Sequence, residues 1–445
     1  MRLSYQECCN VIALGTCPPR DINVGVPPWA PQRCKGTTEH LEMSWETEVR
    51  SNSAVPTTSA TIGPRSTLRI LHISSAQAFG GGERYLADLA NTLASRGHDV
   101  FAVVRPDSPL IAELKGLPAQ NLIQLPLRNA LDAKSAGRLA TFVGRQKIQL
   151  IHAHMGRDYP LAAYAGRRNP DAQLVVTRHV LFPLNRLHRF TLARVARVVA
   201  VSEAVGRQFC MQKIVPRERV TVVHNGIDID RFNRAMQEFD RDEFCRRWDV
   251  PEKSTLVGSV GTLNPLKGHE DFLEAAARVA DIFPAAYFIV AGVDVTAGQT
   301  NRANLERLVR RLQLESRVRF IGKMDDVAPL FCALDIFVSA SHSESFGLAI
   351  AEAMTTGTPV VATETEGAKE IIRDGETGLL VRVRDVAALA AGIRSLLNDE
   401  ETRQRIGQNA REEVRLRFSL DRMVDATEQI YQESLSLTDR RPSPN

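Results

Sequence analysis

SHSESFGLAIAEAMTTGTPVVAT, residues 341–363, is the stretch whose reading decides the fold. The β-rich run DIFVSA precedes it and PVVAT closes it, so the chain reads there as strand, helix and strand of one parallel sheet. The pattern predicts a helix opening at Gly347 and stopped by Gly357, Thr358 and Pro359. Glu344 falls in the loop where the first strand releases the chain, the edge at which open parallel sheets take ligands. Glu352 is expected two turns into the helix, roughly 12 Å further on if every residue between is helical. That is too far for a shared proton or for the carboxyl pair of a glycosidase, and it suits the two ends of one long polar ligand. Between the acids, the amides of Phe346, Gly347 and Leu348 form a helix terminus that attracts phosphate. Either acid alone also reads as an ordinary solvated side chain; the pair with the Phe-Gly turn favours a site.

ESFGLAIAE resembles the E-x7-E motif of retaining glycosyltransferases of the GT-B fold, in particular glycosyltransferase family 4 (glycosyl transferases group 1). The likeness extends from about Leu68 to about Leu435. It implies an α/β protein of two doubly wound Rossmann-like domains facing across a cleft. It also implies that Glu344 contacts the transferred sugar, Glu352 the ribose hydroxyls, and the Phe346, Gly347 and Leu348 amides the donor phosphates.

The 445 residues are enough for two domains, and 44% apolar with 24% charged residues is ordinary for a globular protein. No run of eighteen apolar residues occurs and the amino terminus has no continuous apolar stretch, which argues against a membrane span and against secretion. Cys8, Cys9, Cys17, Cys34, Cys210, Cys245 and Cys332 are odd in number and irregular in spacing, favouring neither a disulfide framework nor zinc, and a reducing cytoplasm fits. The net charge of +4 hides an asymmetry: residues 67–232 hold 23 Lys and Arg against 12 Asp and Glu, residues 233–445 hold 27 against 34. A basic first half suits an acidic acceptor or anionic lipid, or is merely a solvated surface.

Residues 1–66 carry no sustained period and read as disordered, or as the product of a start placed too far upstream, with Met43 the alternative. Residues 67–232 are expected as the acceptor-side domain, 233–435 as the nucleotide-sugar domain and 436–445 as a loose tail. LRILHIS enters the first sheet, followed by AFGGGER and a helix. The full GxGxxG is missing and no acid closes the next strand, so a dinucleotide oxidoreductase is unfavoured. In family 4 the matching glycines, Gly81 and Gly82, let the backbone approach donor phosphates and acceptor; a plain tight turn is the other reading.

In LIHAHMG, strand alternation puts His152 and His154 on one face. A histidine pair could bind metal, but Asp158, the nearby acid, brings no evident third partner. The resemblance places His154 in the active site and His152 in a structural role, while the strand pattern leaves the opposite assignment open. LVVTRH ends in Arg178 and His179, and the run beyond it carries Arg186, Arg189, Arg194 and Arg197 among apolar residues, a basic amphipathic helix able to lie on a membrane. Asp228 and Asp230 form a DxD, but NGID before a Phe resembles the family's interdomain segment, with Asn225 and Gly226 serving a turn.

In LVGSVGTLNPLKGHEDF, Gly268 is followed by His, so this is not a Walker A loop. Lys267 can place a point charge on a diphosphate. The resemblance adds Gly261 and Thr262 to the donor site and rests the nucleotide base at Gly322. The family usually supplies an arginine in this turn, where Thr262 and Asn264 stand here.

The expected activity is a hexosyl-type transfer with retention, from a nucleotide-diphosphate sugar to a hydroxyl of a glycan or lipid-linked acceptor of the cell envelope. Glu344, Lys267 and His154 are the expected catalytic residues. No metal, no cofactor and no nucleic acid partner are expected, and the location is cytoplasmic, at the inner face of an anionic membrane if contact is made there. A noncatalytic sugar-nucleotide-binding subunit and an epimerase or hydrolase on the same fold are the alternatives.

Overall fold

Strands β1 (Arg69–Ser74), β2 (Asp99–Val104), β3 (Leu122–Gln124), β4 (Leu150–Ala153), β5 (Gln173–Arg178), β6 (Arg197–Ala200) and β7 (Val220–Val222) make the first sheet of this computed structural model, which describes residues 67–439. Their order is β3-β2-β1-β4-β5-β6-β7, all parallel. The second sheet holds β8 (Thr255–Val260), β9 (Ala286–Ala291), β10 (Val318–Gly322), β11 (Ile336–Ser339), β12 (Val360–Thr363) and β13 (Leu379–Val381), again all parallel, in the order β10-β9-β8-β11-β12-β13. Helices cover both faces of such sheets, which is why β1, β2, β5 and β11 are buried along nearly their whole length; β2 and β11 read as largely apolar runs, while β1 and β5 bury His72 and Thr177 among their apolar residues. In each sheet the winding reverses next to its first strand, between β1 and β4 and between β8 and β11. Loops diverge at such reversals and leave a crevice at the strands' carboxyl ends.

The α/β, doubly wound fold is thus the one the sequence implies. Details differ. Gly347, at φ 106°, caps the helix Leu348–Thr355, so Glu352 is its fifth residue, one turn in and not two. Gly81 and Gly82 are the first residues of the helix Gly81–Ser95, with Gly80 before them as cap. The expected amphipathic helix after β5 shrinks to His188–Thr191, because Leu192 and Val195 turn into the core and Arg197 already opens β6. Asn225 and Gly226 do not form a turn. They lie in a crossover whose Ile227 pairs in parallel with Ser419, where the chain returns.

The last helix, Leu420–Asp439, runs four residues into the stretch expected to be loose. It packs on the first sheet's side, where Met423, Val424, Ile430 and Tyr431 join Leu68, Ile70, Tyr85 and Leu89 in one buried cluster. The disorder expected of residues 1–66 and the tail from 440 onward lie outside the described residues. Among the described residues no helix is long and apolar enough to cross a membrane.

Candidate active site at the two sheet reversals

On the second sheet, the β8 loop and the β11 loop meet. Lys267 Nζ donates to Glu344 Oε1 at 2.6 Å, and Ser341 Oγ donates to the same oxygen at 2.7 Å. Both side chains are largely enclosed, at 28% exposure for Lys267 and 15% for Glu344. Glycines make the approach feasible. Gly268 has φ 63°, and a Cβ there would stand 1.9 Å from the Ala340 carbonyl oxygen. Gly261 lies flat beneath the Lys267 methylenes, which a Cβ would meet at 3.3 Å. His342 fastens the Glu344 loop from the other side, its Nε2 2.8 Å from Asp271 Oδ2. The amides of Phe346, Gly347 and Leu348 have no acceptor among the described residues, as expected of a helix's opening turn.

Asn264, which with Thr262 stands in the turn where the family usually has an arginine, is used locally: its Oδ1 accepts from Leu266 N at 2.9 Å and its Nδ2 donates to Thr262 Oγ1 at 2.7 Å. Among the described residues no arginine pairs with Glu344. Gly322 closes β10, and its carbonyl accepts from Gly292 N at 2.8 Å; Gly292 in turn stands against the Gly261 carbonyl.

Glu352 joins a different group. It sits in the field of Arg84 and Asp88 of the helix Gly81–Ser95, Arg231 of the helix Ile229–Glu238, and Asp326. Arg231 Nη2 donates to Asp326 at 2.5 Å, and Arg84 pairs with Glu113 at 3.2 Å. Burial pushes the Glu352 carboxyl up to about 7 against the pull of the two arginines, and Asp88 up to about 6. Asp228 caps the Ile229–Glu238 helix by accepting from Arg231 N at 2.9 Å.

On the first sheet, register pairs His72 of β1 with His152 of β4. His72 Nδ1 and His154 Nε2 lie 3.0 Å apart, and all three rings are buried. Both nitrogens of His152 are engaged, Nδ1 with Tyr431 Oη and Nε2 with Thr177 Oγ1, each at 2.6 Å. His154 Nδ1 has no partner among the described residues. Burial holds His152 and His154 well below the usual histidine range and His72 at about 3, so the cluster is neutral. Nitrogens of the three lie within 4.8 Å of one another, the one such grouping among the described residues. His72 is the third partner the sequence did not suggest, yet a metal there would have to break one of the two His152 bonds.

The two sheets' loops face each other. A Cβ on Gly81 would stand 2.8 Å from Leu348 Cδ1, and one on Gly82 would stand 3.4 Å from His179, whose ring stacks on His154 at 5.8 Å. Two helix openings therefore confront one another across a cleft. The structure brings together Lys267, Glu344 and Gly261 on one wall, Leu348 with Gly81 across it, and Gly82 with His154 through His179. Glu352 stands with Arg84 and Arg231, which the sequence reading missed. Arg231 follows Asp230 in the interdomain segment, and that adjacency was its available signal. His72 reaches the cluster only through the pairing of β1 with β4, which no local pattern announces.

Two parallel, doubly wound domains whose strand ends converge on one cleft define the GT-B class of glycosyltransferase. Residues 79–231 match the Glycosyltransferase Family 4 model and residues 240–413 the Glycosyl transferases group 1 model. The chain is 30% identical over 421 residues to a D-inositol 3-phosphate glycosyltransferase of Geodermatophilus obscurus, covering 86% of this chain and 90% of that one. It is 29% identical over 360 residues to the lipopolysaccharide core biosynthesis glycosyltransferase LpsE of Rhizobium meliloti, covering 78% and 94%. In fold it is similar to Anabaena HepE, solved in complex with UDP and glucose, with a TM-score of 0.71, 24% identity, and coverage of 82% and 99%. The chain belongs to the group 1, family 4 glycosyltransferases and is a glycosyl-transferring enzyme.

Proposed function

We propose that the protein transfers a sugar, with retention and without a metal, from a nucleotide-diphosphate sugar to a hydroxyl of a glycan or lipid-linked acceptor. The observation that carries this reading is the Lys267–Glu344 contact at the mouth of the helix Leu348–Thr355. An ammonium has three donors, and the one given to Glu344 leaves two for the departing diphosphate. Those donors and the free amides of the helix opening face the charge that develops as the glycosidic bond breaks. Glu344 Oε2, without a partner among the described residues, is left to hold a sugar hydroxyl. Glu352 takes the ribose hydroxyls, and the base rests by Gly322. His154 Nδ1, buried and without a partner among the described residues, would take a hydroxyl of the reacting sugar or acceptor once the loops over it move. The relative named for lipopolysaccharide core biosynthesis favours a cell-envelope acceptor reached from the cytoplasm at the inner face of an anionic membrane, whereas the relative named for D-inositol 3-phosphate acts on a small water-soluble one.

The second reading, a noncatalytic sugar-nucleotide-binding subunit, is favoured by Asn264, which caps a turn instead of supplying a guanidinium to the phosphates. Incubation with labelled UDP-, GDP- and ADP-sugars separates the readings. The expected result is acceptor-dependent transfer, unchanged by chelator, with the donor's anomeric configuration kept in the product. Sugar release without an acceptor marks a hydrolase, and every donor left intact marks the binding subunit.

A further inference from the structure

We propose that the turn joining β5 to β6 docks the protein on an anionic lipid bilayer, with Phe182, Leu187 and Phe190 entering the headgroup boundary and Arg186 and Arg189 meeting lipid phosphates. This deepens the proposed function, since its use rests on a lipid-linked acceptor, although the docking itself needs no turnover.

Three large apolar side chains stand in solvent within nine residues: Phe182 at 49% exposure, Leu187 at 66% and Phe190 at 58%. The turn that bears them is fixed from beneath. Arg178 donates to the Phe182 carbonyl, Arg167 Nη2 to the Phe190 carbonyl at 2.5 Å, and Gln212 Oε1 accepts from Leu184 N at 2.8 Å. Leu192 is fully buried and the Tyr159 ring meets His188 edge-on at 5.9 Å. A turn tethered at both ends holds three apolar tips in solvent on one short segment, as an interfacial element requires.

Charge selects the partner. From residue 172 to 202 there are five arginines and not one Asp or Glu. Arg186, Arg189 and Arg194 are exposed, and the Arg189 guanidinium lies over the Phe190 ring at 4.5 Å. Aromatic tips interleaved with arginines suit the boundary between acyl chains and anionic headgroups. Residues 1–66, the other candidate cover, are neutral in sum with six basic and six acidic residues, but four of the acids fall within 39–48. Vesicle binding equal for the full chain and for a Glu39→Gln, Glu42→Gln, Glu46→Gln, Glu48→Gln variant is expected if lipid is the occupant, and binding gained only in that variant would make this segment the cover and overturn the proposal. Position agrees: the turn leaves the same strand end at which His179 stands beside Gly82, so a docked molecule would present its first-sheet loops to an acceptor in that bilayer.

Sedimentation of the full chain with vesicles of equimolar phosphatidylglycerol and phosphatidylcholine tests this. Binding is expected at low salt, weaker as salt rises, and absent with pure phosphatidylcholine. The triple variant Phe182→Ser, Leu187→Ser, Phe190→Ser, at exposed positions that leave the fold intact, should bind at least about tenfold more weakly. Arg186→Gln with Arg189→Gln should flatten the salt dependence. Equal binding by wild type and triple variant, or none by wild type at low salt, overturns the proposal. So does a concentration-dependent dimer that the triple variant dissolves, since the patch would then cover a second copy. Transfer to a water-soluble acceptor is expected to be equal in all these proteins. Vesicle binding with no transfer in any of them would overturn the catalytic reading and leave the docking surface standing.

Discussion

Lys267 and Glu344 form a short pair in a partly enclosed site, and removing one leaves the other without its main partner. Lys267→Ala should keep the fold and lower kcat by about 10²–10³, the cost of one donor aimed at developing charge. Lys267→Arg should not restore it, because a planar fork cannot lie over Gly261 as the lysine chain does. Near-normal transfer by Lys267→Ala would remove the residue from the mechanism. His72 acts at one remove, holding His154 Nε2 and leaving Nδ1, buried and without a partner among the described residues, as the ring atom that a ligand would have to reach by moving the loops over it. His72→Phe should release that constraint and lower kcat about fivefold to tenfold, the worth of about 1 kcal/mol. His72→Asn, whose amide reaches where Nδ1 sat, should recover part. Long-range ¹⁵N spectra are the check: one His154 tautomer in wild type and a mixture in His72→Phe, whereas a mixture already in wild type would refute the positioning. At this scale Glu344 and Lys267 were legible because each lies in a short motif. His72, Arg84 and Arg231 were not, because strand order and a distant helix, which one local pattern cannot express, bring them to the site.

In the helix Leu348–Thr355, burial disfavours the ionised Glu352 that the proposed ribose contact would use. Glu352 titrates at about 7 when folded and lower when unfolded, so the folded state holds the extra proton between about 4.5 and 7. Stability therefore falls as pH rises through that window, by about 1.4 kcal/mol for each unit of displacement, and Asp88 adds to the slope in its lower part. Glu352→Gln should raise the melting temperature at pH 8, leave it unchanged at pH 4 and weaken donor binding. A melting temperature lowered equally at both pH values would mean that the carboxylate is a net structural asset. The loop element before the helix His269–Ala280 makes a sharper demand. Gly268→Ala forces a Cβ into the Ala340 carbonyl from a left-handed backbone position, so the turn must shift and carry Lys267 away from Glu344. Transfer should be lost with the secondary structure retained by circular dichroism; retained transfer would show that the turn tolerates displacement. Elements with a clear period, such as Gly81–Ser95, were legible in the sequence. The run after β5 was not, because its apolar residues answer to two demands, Leu192 and Val195 to the core and Leu187 and Phe190 to the outside, and together they imitate a helical stripe.

At the scale of the molecule the sequence disclosed two like halves, since each repeats the alternation of strand and helix that a parallel sheet requires. It could not disclose how they are joined. The chain crosses between the halves twice, and the crossings pair: Ile227 N donates to the Phe418 carbonyl at 2.8 Å and Leu420 N to the Ile227 carbonyl at 2.9 Å. A Cβ on Gly226 would stand 2.6 Å from Leu420 Cα, so the crossing needs that glycine. Away from this seam the halves are latched by Glu370, whose two oxygens accept from the Glu203 and Ala204 amides at 2.8 Å each, capping a first-sheet helix from the second-sheet side. His224 lies 3.2 Å from the same carboxylate, and Arg207 pairs with Glu366 beside it. Amide bonds to a charged acceptor are worth about 1.5–3 kcal/mol each, enough to shift the population of an open form. Glu370→Ala should therefore widen the apo protein in solution scattering, raise the KM for donor more than it lowers kcat, and let saturating donor restore the compact form. Were the scattering of the variant to match wild type while its melting temperature fell, Glu370 would be a helix cap alone and the closing of the cleft would have to be sought at the paired crossings.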